Sequence, residues 1–253
     1  MFYKERQASI LEYIQQKPSV SVAELSDIYQ VSTVTIRKDL NSLSKEGKIE
    51  RTHGGAMNRS LTRYEADEDE REGLNTEKKK EIAARAYGLI KEGSTVILDA
   101  GSTTLELARL LAANPVKNVT LITHALNIAL VFQHSHAYTL IMIGGQYRPK
   151  IMSFVGPYAV KMLQEIHADI GFIGINGFTL KEGLTTPSPY EAQMKLTILE
   201  RSRESYLLTD LAKFGNIAMS KVADLSKLDG IICDSDMPEK LRHELDDLGL
   251  KII

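Results

Sequence analysis

Two short stretches of this sequence gather side chains with binding chemistry. The first is Ser32-Thr33-Val34-Thr35-Ile36-Arg37-Lys38-Asp39-Leu40-Asn41. On a helical wheel with Ile36 at zero, Leu40 and Leu43 fall within about 40° of it, while Val34, Arg37, Lys38 and Asn41 lie on the opposite side. One face packs. The other carries an arginine able to donate twice to a guanine edge, an asparagine able to pair with adenine and a valine able to touch a thymine methyl. Ser32, Thr33 and Thr35 at the helix start suit phosphate oxygens, because hydroxyls and free backbone amides converge there. The plainer reading of the same wheel is an amphipathic helix whose Arg37 and Lys38 only meet solvent.

The second stretch, Thr95 to Thr104 (TVILDAGSTT), is a strand running into a Gly-Ser-Thr-Thr turn, and Leu105 to Leu111 continues as a helix. A helix N-terminus offers unpaired amides and a partial positive charge, Gly101 lets the backbone come close, and Ser102, Thr103 and Thr104 add donors. Together they suit an anion such as phosphate. An ordinary capped helix after a strand has the same residues. Three other side chains carry two readings each. His124 contacts a ligand or packs at a helix start, Arg148 after Gly144-Gly145 is a second anion partner or a solvated loop residue, and Lys213 is a ligand partner near a strand end or a surface lysine. His134 and His136 have no acidic partner at metal-ligand spacing, so no metal site is expected. Asp234 and Asp236 read as loop acids rather than a catalytic pair.

These groups need elements to hold them. Residues 3 to 16 place Ile10, Leu11 and Ile14 at helical spacing, and Lys17-Pro18 stops that helix because the residue before proline disfavours helical backbone. Ser21 caps a second helix through Tyr29 that turns Leu25 and Ile28 inward, Gln30-Val31 makes a tight turn, and Ser32 caps a third helix to about Glu46. Gly47 closes it, and Lys48 to Ala56 reads as a small strand and wing around Gly54-Gly55. From Asn58 to Lys80 the apolar periodicity lapses, and the run Glu65 to Glu72, Arg71 included, is too charged for a core, which predicts a linker. Beyond it, helices alternate with apolar β-rich runs at Thr95 to Leu98, Val119 to Ile122, Thr139 to Ile143, Ile170 to Ile175, Tyr206 to Thr209 and Gly230 to Cys233. That succession predicts an α/β domain with a largely parallel sheet, whose ligands sit at the carboxyl ends of the strands.

Size and charge bound the function. The 253 residues, 43% of them apolar, supply cores for a small and a larger domain. A formal charge of −2 excludes a polycationic, non-specific nucleic-acid binder, so any such contact is local. The first 57 residues carry eight basic side chains against seven acidic ones, so one copy binds a polyanion weakly and useful affinity needs a homo-oligomer, a dimer or tetramer, on repeated half-sites. The single cysteine, Cys233, excludes an internal disulfide and a cysteine-rich zinc site and fits a reducing cytosol. No apolar run reaches the roughly 18 residues of a membrane helix, and the expected location is the cytoplasm.

Arg6, Ile10, Ile14 and Ser32 through Leu40 resemble the helix-turn-helix signature of the DeoR family, spacing included, and Arg51 and His53 resemble its wing. Further along, Asp99 through Thr104, the strand end at Thr123, Gly144-Gly145, Ser153 through Gly156, Gly183 through Thr186 and Asp210 through Gly215 are similar to the successive motifs of that family's C-terminal sensor domain. The resemblance covers nearly the whole chain, and it departs from the family pattern at Thr123-His124 and at Asp210-Leu211-Ala212-Lys213. It implies an α/β protein with a winged helix-turn-helix domain at residues 1–57, a linker at 58–80 and, at 81–253, an effector domain with a fold similar to ribose-5-phosphate isomerase. The implied activity is regulation of transcription, as a repressor of a sugar-metabolism operon, with double-stranded operator DNA and a phosphorylated sugar or derivative as partners and no cofactor. Ser32, Thr33, Val34, Thr35, Arg37, Lys38, Asn41, Arg51 and His53 would then meet DNA. Gly101 to Thr104 would hold phosphate, and Asp99, Thr123, Glu191 and Lys213 would face the sugar or organise its pocket, with His124, Gly144, Gly145 and Arg148 as further effector-site candidates. The rival reading of the same C-terminal motifs is a sugar-phosphate isomerase, with Glu191 or Asp99 as the general base.

Overall fold

Serine hydroxyls set the two helix starts that matter most at the N-terminus. Ser21 Oγ accepts from the Glu24 amide at 3.0 Å while the Glu24 carboxylate reaches back to the Ser21 amide, a reciprocal cap. Gln30, in left-handed backbone at φ 52°, ends that helix, and Ser32 caps the next by accepting from the Thr35 amide at 3.2 Å. These details come from a computed structural model that describes residues 3–15, 19–46, 48–52, 54–58, 71, 73, 75–235 and 237–253. Lys17-Pro18, Gly47 and Asp236, to which the sequence assigns roles, lie outside the described residues.

The chain divides into two compact units, Met1–Tyr64 and Glu65–Ile253. In the first, helices α1 (Tyr3–Gln15), α2 (Val22–Tyr29) and α3 (Thr33–Lys45) pack with an antiparallel sheet of β1 (Ser19–Ser21), β2 (Ile49–Thr52) and β3 (Gly55–Asn58) in the order β1-β3-β2. Ile10, Ile14, Leu25, Ile36, Leu40 and Leu43 are buried in one cluster. Ile28, expected to face inward, is 45% exposed instead. The stripe of α2 runs through Val22, Leu25 and Tyr29, and the Tyr29 hydroxyl bonds Ser9 on α1 at 3.1 Å. Strand β1 was not anticipated. A Cβ at Gly55 would lie 1.8 Å from the Val20 carbonyl oxygen, so glycine alone lets β3 close on β1.

One polar group crosses this small core. Asp39 is fully buried on α3, and its carboxylate takes two bonds from Arg6 on α1, with Nε to Oδ2 at 2.5 Å and Nη2 to Oδ1 at 3.2 Å.

The second unit is built on a seven-stranded, wholly parallel sheet. In chain order its strands are β4 (Thr95–Leu98), β5 (Thr120–Thr123), β6 (Thr139–Met142), β9 (Ala168–Ile173), β12 (Ser202–Thr209), β14 (Gly230–Cys233) and β15 (Lys251–Ile252). Their spatial order is β15-β14-β12-β9-β4-β5-β6. Helices α4 (Thr76–Tyr87), α5 (Ser102–Ala113) and α6 (Leu126–Val131) cover one face; α7 (Pro157–Gln164), α8 (Pro189–Arg201) and α9 (Glu239–Asp246) cover the other. Side chains alternate between the layers, Val96 and Leu98 into the first and Ile97 into the second. A hairpin of β7 (Gln146–Arg148) and β8 (Ser153–Val155) and an antiparallel sheet of β10 (Gly177–Thr179), β11 (Gly183–Thr186) and β13 (Ser220–Ala223) complete the unit.

From β4 the chain builds toward β6, and from β9 it builds the other way, so the strand order reverses between these neighbours. Crevices beyond the carboxyl ends of strands at such a reversal are where open α/β sheets hold ligands. Strand ends differ from expectation by a few residues: the run expected at Ile170 to Ile175 is Ala168–Ile173, and that at Tyr206 begins at Ser202. Helix α4 begins at Thr76, inside the expected linker. Its first turns hold on through polar bonds that apolar periodicity does not register: Lys78 pairs with Asp234, and buried Lys79 donates to the Arg71 carbonyl.

Arg6→Ala leaves the Asp39 carboxylate buried without its cation and is expected to cost about 3 kcal/mol in urea unfolding of the full chain. A change within about 0.5 kcal/mol, as for an ordinary surface substitution, would contradict the assigned role.

Candidate functional site

The outer face of α3 is open. Thr33, Val34, Arg37, Lys38 and Asn41 are all exposed, Val34 to 58%, while Ile36, Asp39, Leu40 and Leu43 are buried beneath them. The side chains of Arg37, Lys38 and Asn41 have no hydrogen-bond or ion-pair partner among the described residues. Ser32 and Thr35 bond each other at 2.9 Å, which spends the Ser32 hydroxyl on the cap. Arg51, expected as a contact residue, lies on β2 and donates from Nη1 to the Gly55 carbonyl at 2.6 Å, bracing the hairpin. Burial, and secondarily the charge of Arg37, lowers its pKa below the ordinary arginine value, so the two guanidinium groups share one neighbourhood. His53 lies outside the described residues.

The residues expected to form an effector site gather beyond the carboxyl ends of the parallel strands. Asp99 follows β4 at the point of strand-order reversal and is fully buried. Its Oδ2 accepts from Lys195 Nζ at 2.5 Å and from the Gly174 amide, just past β9, at 3.0 Å. Its Oδ1 lies 3.0 Å from His124 Nε2, which also stands 3.2 Å from the Ala100 amide. His124 Nδ1 lies 2.9 Å from the Phe154 carbonyl, which only accepts, so Nδ1 carries a proton. Burial pushes the Asp99 carboxyl upward, yet the Lys195 charge and the His124 bond outweigh it and hold the group at about 2. Thr123 Oγ1 donates to the Leu98 carbonyl at 2.8 Å, and Thr104 Oγ1 donates to the carbonyls of Asp99 and Gly101, both at 2.7 Å. Asp99, Thr123, His124 and Thr104 therefore brace one another.

The other expected residues stand around this brace. Helix α5 begins at Ser102 after Gly101, whose backbone is extended at φ 173° and needs no glycine for its angles. Space is the constraint there, because a Cβ on Gly101 would meet Thr104 Oγ1 at 3.3 Å and the Arg71 guanidinium at 3.8 Å. Arg148 donates to Glu191 at 2.8 Å, and the second Glu191 oxygen accepts from Thr186, which also bonds Asn176 at 2.8 Å. Lys213 is half-buried in the turn after β12, where its backbone amide bonds the Asp210 carbonyl and its ammonium has no hydrogen-bond or ion-pair partner among the described residues. Gly144 and Gly145 are exposed beyond β6. Glu191 rises from the same helix as Lys195, four residues away.

Sequence reasoning missed Lys195, the cation that fixes Asp99. A signal existed, since Glu191 and Lys195 sit four apart on a helix and so share a face. It also assigned Arg71 to a featureless charged run, whereas its guanidinium stands beside the Gly101 turn. At the neighbouring strand ends, Asn75 donates to Asp210 at 3.0 Å, Lys78 pairs with Asp234, and Arg85 donates to the Cys233 carbonyl, tying α4 to this same edge. Cys233 is buried, bonds Asp234 and has a thiol pKa pushed far up, first by burial. Among the described residues no group of His, Cys, Asp or Glu is arranged to hold a metal ion.

A family model described as the DeoR C terminal sensor domain matches residues 74–235, and one described as the DeoR-like helix-turn-helix domain matches residues 6–61. The chain is 34% identical over 252 residues to the HTH-type transcriptional regulator YulB of Bacillus subtilis (strain 168), covering 100% of this chain and 96% of the relative. It is 32% identical to the L-fucose operon activator of Haemophilus influenzae, covering 94% of each. Among solved structures, ribose 5-phosphate isomerase A from Methanocaldococcus jannaschii matches 55% of each chain at 20% identity, with a TM-score of 0.41.

Lys195→Met leaves Asp99 buried without its principal counter-charge, at an expected cost of about 3 kcal/mol in urea unfolding at pH 7. Because the carboxyl lies below its ordinary value in the folded chain, the stability it lends is complete above about pH 4 and fades as pH falls toward about 2. The gap between parent and variant should narrow over that window, and a pH-independent gap would contradict the pairing.

Proposed function

Because this chain belongs to the DeoR family of transcriptional regulators, we propose that it is a repressor of a sugar-metabolism operon, released from its operator by a phosphorylated sugar or derivative. The observation that carries the DNA half is the face of α3, where Thr33, Val34, Arg37, Lys38 and Asn41 stand exposed on a capped helix whose other half is packed. Such a face enters a major groove, with Arg37 and Asn41 on base edges and Thr33 and Lys38 on phosphates. Arg51 holds the β2–β3 hairpin in shape and adds positive potential beside Arg37, and His53 is proposed as a DNA contact on the family resemblance alone. The protein that acts this way works in the cytoplasm, and no helix among the described residues is long and apolar enough to cross a membrane.

The sensor half rests on an organised edge of the sheet. Asp99, Thr123, His124 and Thr104 keep the Gly101 turn in place, so that the amides opening α5 and the hydroxyls of Ser102 and Thr103 meet a phosphate. Arg71 adds a cation beside that turn. Gly144 leaves room at the rim and Gly145 admits the close approach of Val155 and Ala159 behind it, while Arg148, Glu191 and Lys213 meet the sugar oxygens. The relative from Haemophilus influenzae serves an L-fucose operon by its name, which supports a carbohydrate signal here too.

An isomerase would need a general base poised near neutral pH. Asp99 is held at about 2 and enclosed by Lys195, His124 and the Gly174 amide, and Glu191 is occupied by Arg148 and Thr186, so neither carboxylate suits enediol chemistry. The 34% identical relative is itself a transcriptional regulator.

Effector and operator are coupled through one linkage. The strand ends that surround the sensor edge also anchor α4 through Asp210 and Asp234, and α4 lies near the start of the second unit. A coupling of about 1 to 3 kcal/mol changes operator occupancy roughly 5- to 150-fold. Eight basic against seven acidic side chains in the first 57 residues support binding as a dimer or tetramer on repeated half-sites, and a monomer in sedimentation at micromolar concentration would count against this.

Paired substitutions separate the two roles. Arg37→Ala should weaken operator binding by about 1 to 3 kcal/mol in a mobility-shift titration with a thermal response to sugar phosphates intact. Lys213→Ala or Thr103→Val should do the reverse. A panel of phosphorylated sugars, each with its unphosphorylated parent, identifies the effector by thermal shift. Equal shifts from parent sugars would remove phosphate from the account, and stronger DNA binding with effector would make the chain an effector-dependent binder.

A further inference from the structure

Among the described residues, Ser153 Oγ is the buried side-chain polar atom with no hydrogen-bond partner, in a residue that is 0% exposed. Its neighbours Arg148, Glu191 and Thr186 are bonded to one another, so the enclosed orphan is a local exception among them. Its surroundings give it a direction. Ser153 sits opposite Arg148 across the β7–β8 hairpin and opposite Ala125 on its other side. Directly opposed residues of antiparallel strands share a face, so the hydroxyl lies on the side that carries Arg148, whose guanidinium turns to Glu191. The opposite face carries Tyr147 and Phe154, whose rings meet at a tilt of 42° with 5.2 Å between centroids.

We propose that Ser153 is a specificity residue of the sensor site, reading a hydroxyl group of a polyhydroxylated ligand beside the Arg148–Glu191 pair. This rests on the sensor reading above and goes further by assigning a second subsite, away from the phosphate turn at Gly101. A ligand hydroxyl both donates and accepts, so it satisfies Ser153 in either sense and completes the ring of partners begun by Arg148, Glu191, Thr186 and Asn176. A methylene in that place would leave the hydroxyl unpaired, and a site with a buried polar group discriminates against a ligand lacking its partner.

The test uses the full chain with Ser153→Ala and with Ser153→Cys, which keeps the volume but bonds weakly. Without ligand, an orphan hydroxyl makes no favourable bond and carries its desolvation cost, so neither variant should melt more than about 3 °C below the parent. Aldose and ketose monophosphates and their parent sugars are then screened by thermal shift, and the tightest binder of the parent protein is titrated calorimetrically into all three. Its affinity should fall about 5-fold in both variants, the loss of one hydrogen bond. Unchanged affinity would overturn the role of Ser153 and leave the sensor reading standing. A ligand-free melting point lower by more than about 3 °C would make the hydroxyl a structural group and overturn the proposal. If no compound shifts the parent protein, the sensor reading and the proposal fall together.

Discussion

A fully buried carboxylate at the reversal point of a parallel sheet is the constraint on which the larger unit depends. Taking Asp99 out of water is unfavourable by itself, and it stays ionised because Lys195, His124 and the Gly174 amide converge on it. Those partners come from a helix on one face of the sheet and from the ends of two neighbouring strands. The carboxylate thus sets where β4, β5 and β9 stop relative to one another and where α8 lies across them. Its lowered pKa corresponds to on the order of 2 kcal/mol, a sizeable fraction of the 5 to 15 kcal/mol that holds a domain folded.

The small unit solves a similar problem with fewer parts. Asp39 faces inward on the helix whose other side carries Arg37 and Lys38, and Arg6 neutralises it from a different helix. In both units the fully buried aspartates are paired, while the side chains of Arg37, Lys38 and Lys213 have no hydrogen-bond or ion-pair partner among the described residues. That allocation separates rigidity from recognition: paired charges fix geometry, and unpaired ones remain available to a ligand at low reorganisation cost.

Whatever local periodicity encodes was legible from the chain alone. The wheel of α3 separated Ile36, Leu40 and Leu43 from Val34, Arg37, Lys38 and Asn41, and the apolar runs located six strands of the parallel sheet to within a few residues. Features fixed by distant partners were not legible. Lys195 meets Asp99 across 96 positions of sequence, and Lys78 meets Asp234 across 156. Ile28 and Tyr29 exchanged places because either completes an apolar stripe on so short a helix, and only the Ser9 hydroxyl favours the tyrosine. Strand β1 is three residues long and exists because Gly55 permits the approach. Helix α4 escaped notice because its start is held by lysines, which a search for apolar spacing passes over. The grouping of candidate site residues at one sheet edge followed from topology, but their division into mutual braces and open rim groups needed coordinates.

Cys233 had been read as a sign of a reducing environment, and its setting makes the chain indifferent to that environment instead. With its sulfur covered, tied to a neighbouring carboxylate and kept from ionising, the sole thiol offers no purchase to oxidants or alkylating reagents while β14 stays in the sheet. Covalent crosslinking of two folded copies through sulfur is therefore barred. The same atom becomes reactive once the strand is released, which makes it a built-in indicator that reports loss of the sheet and nothing milder.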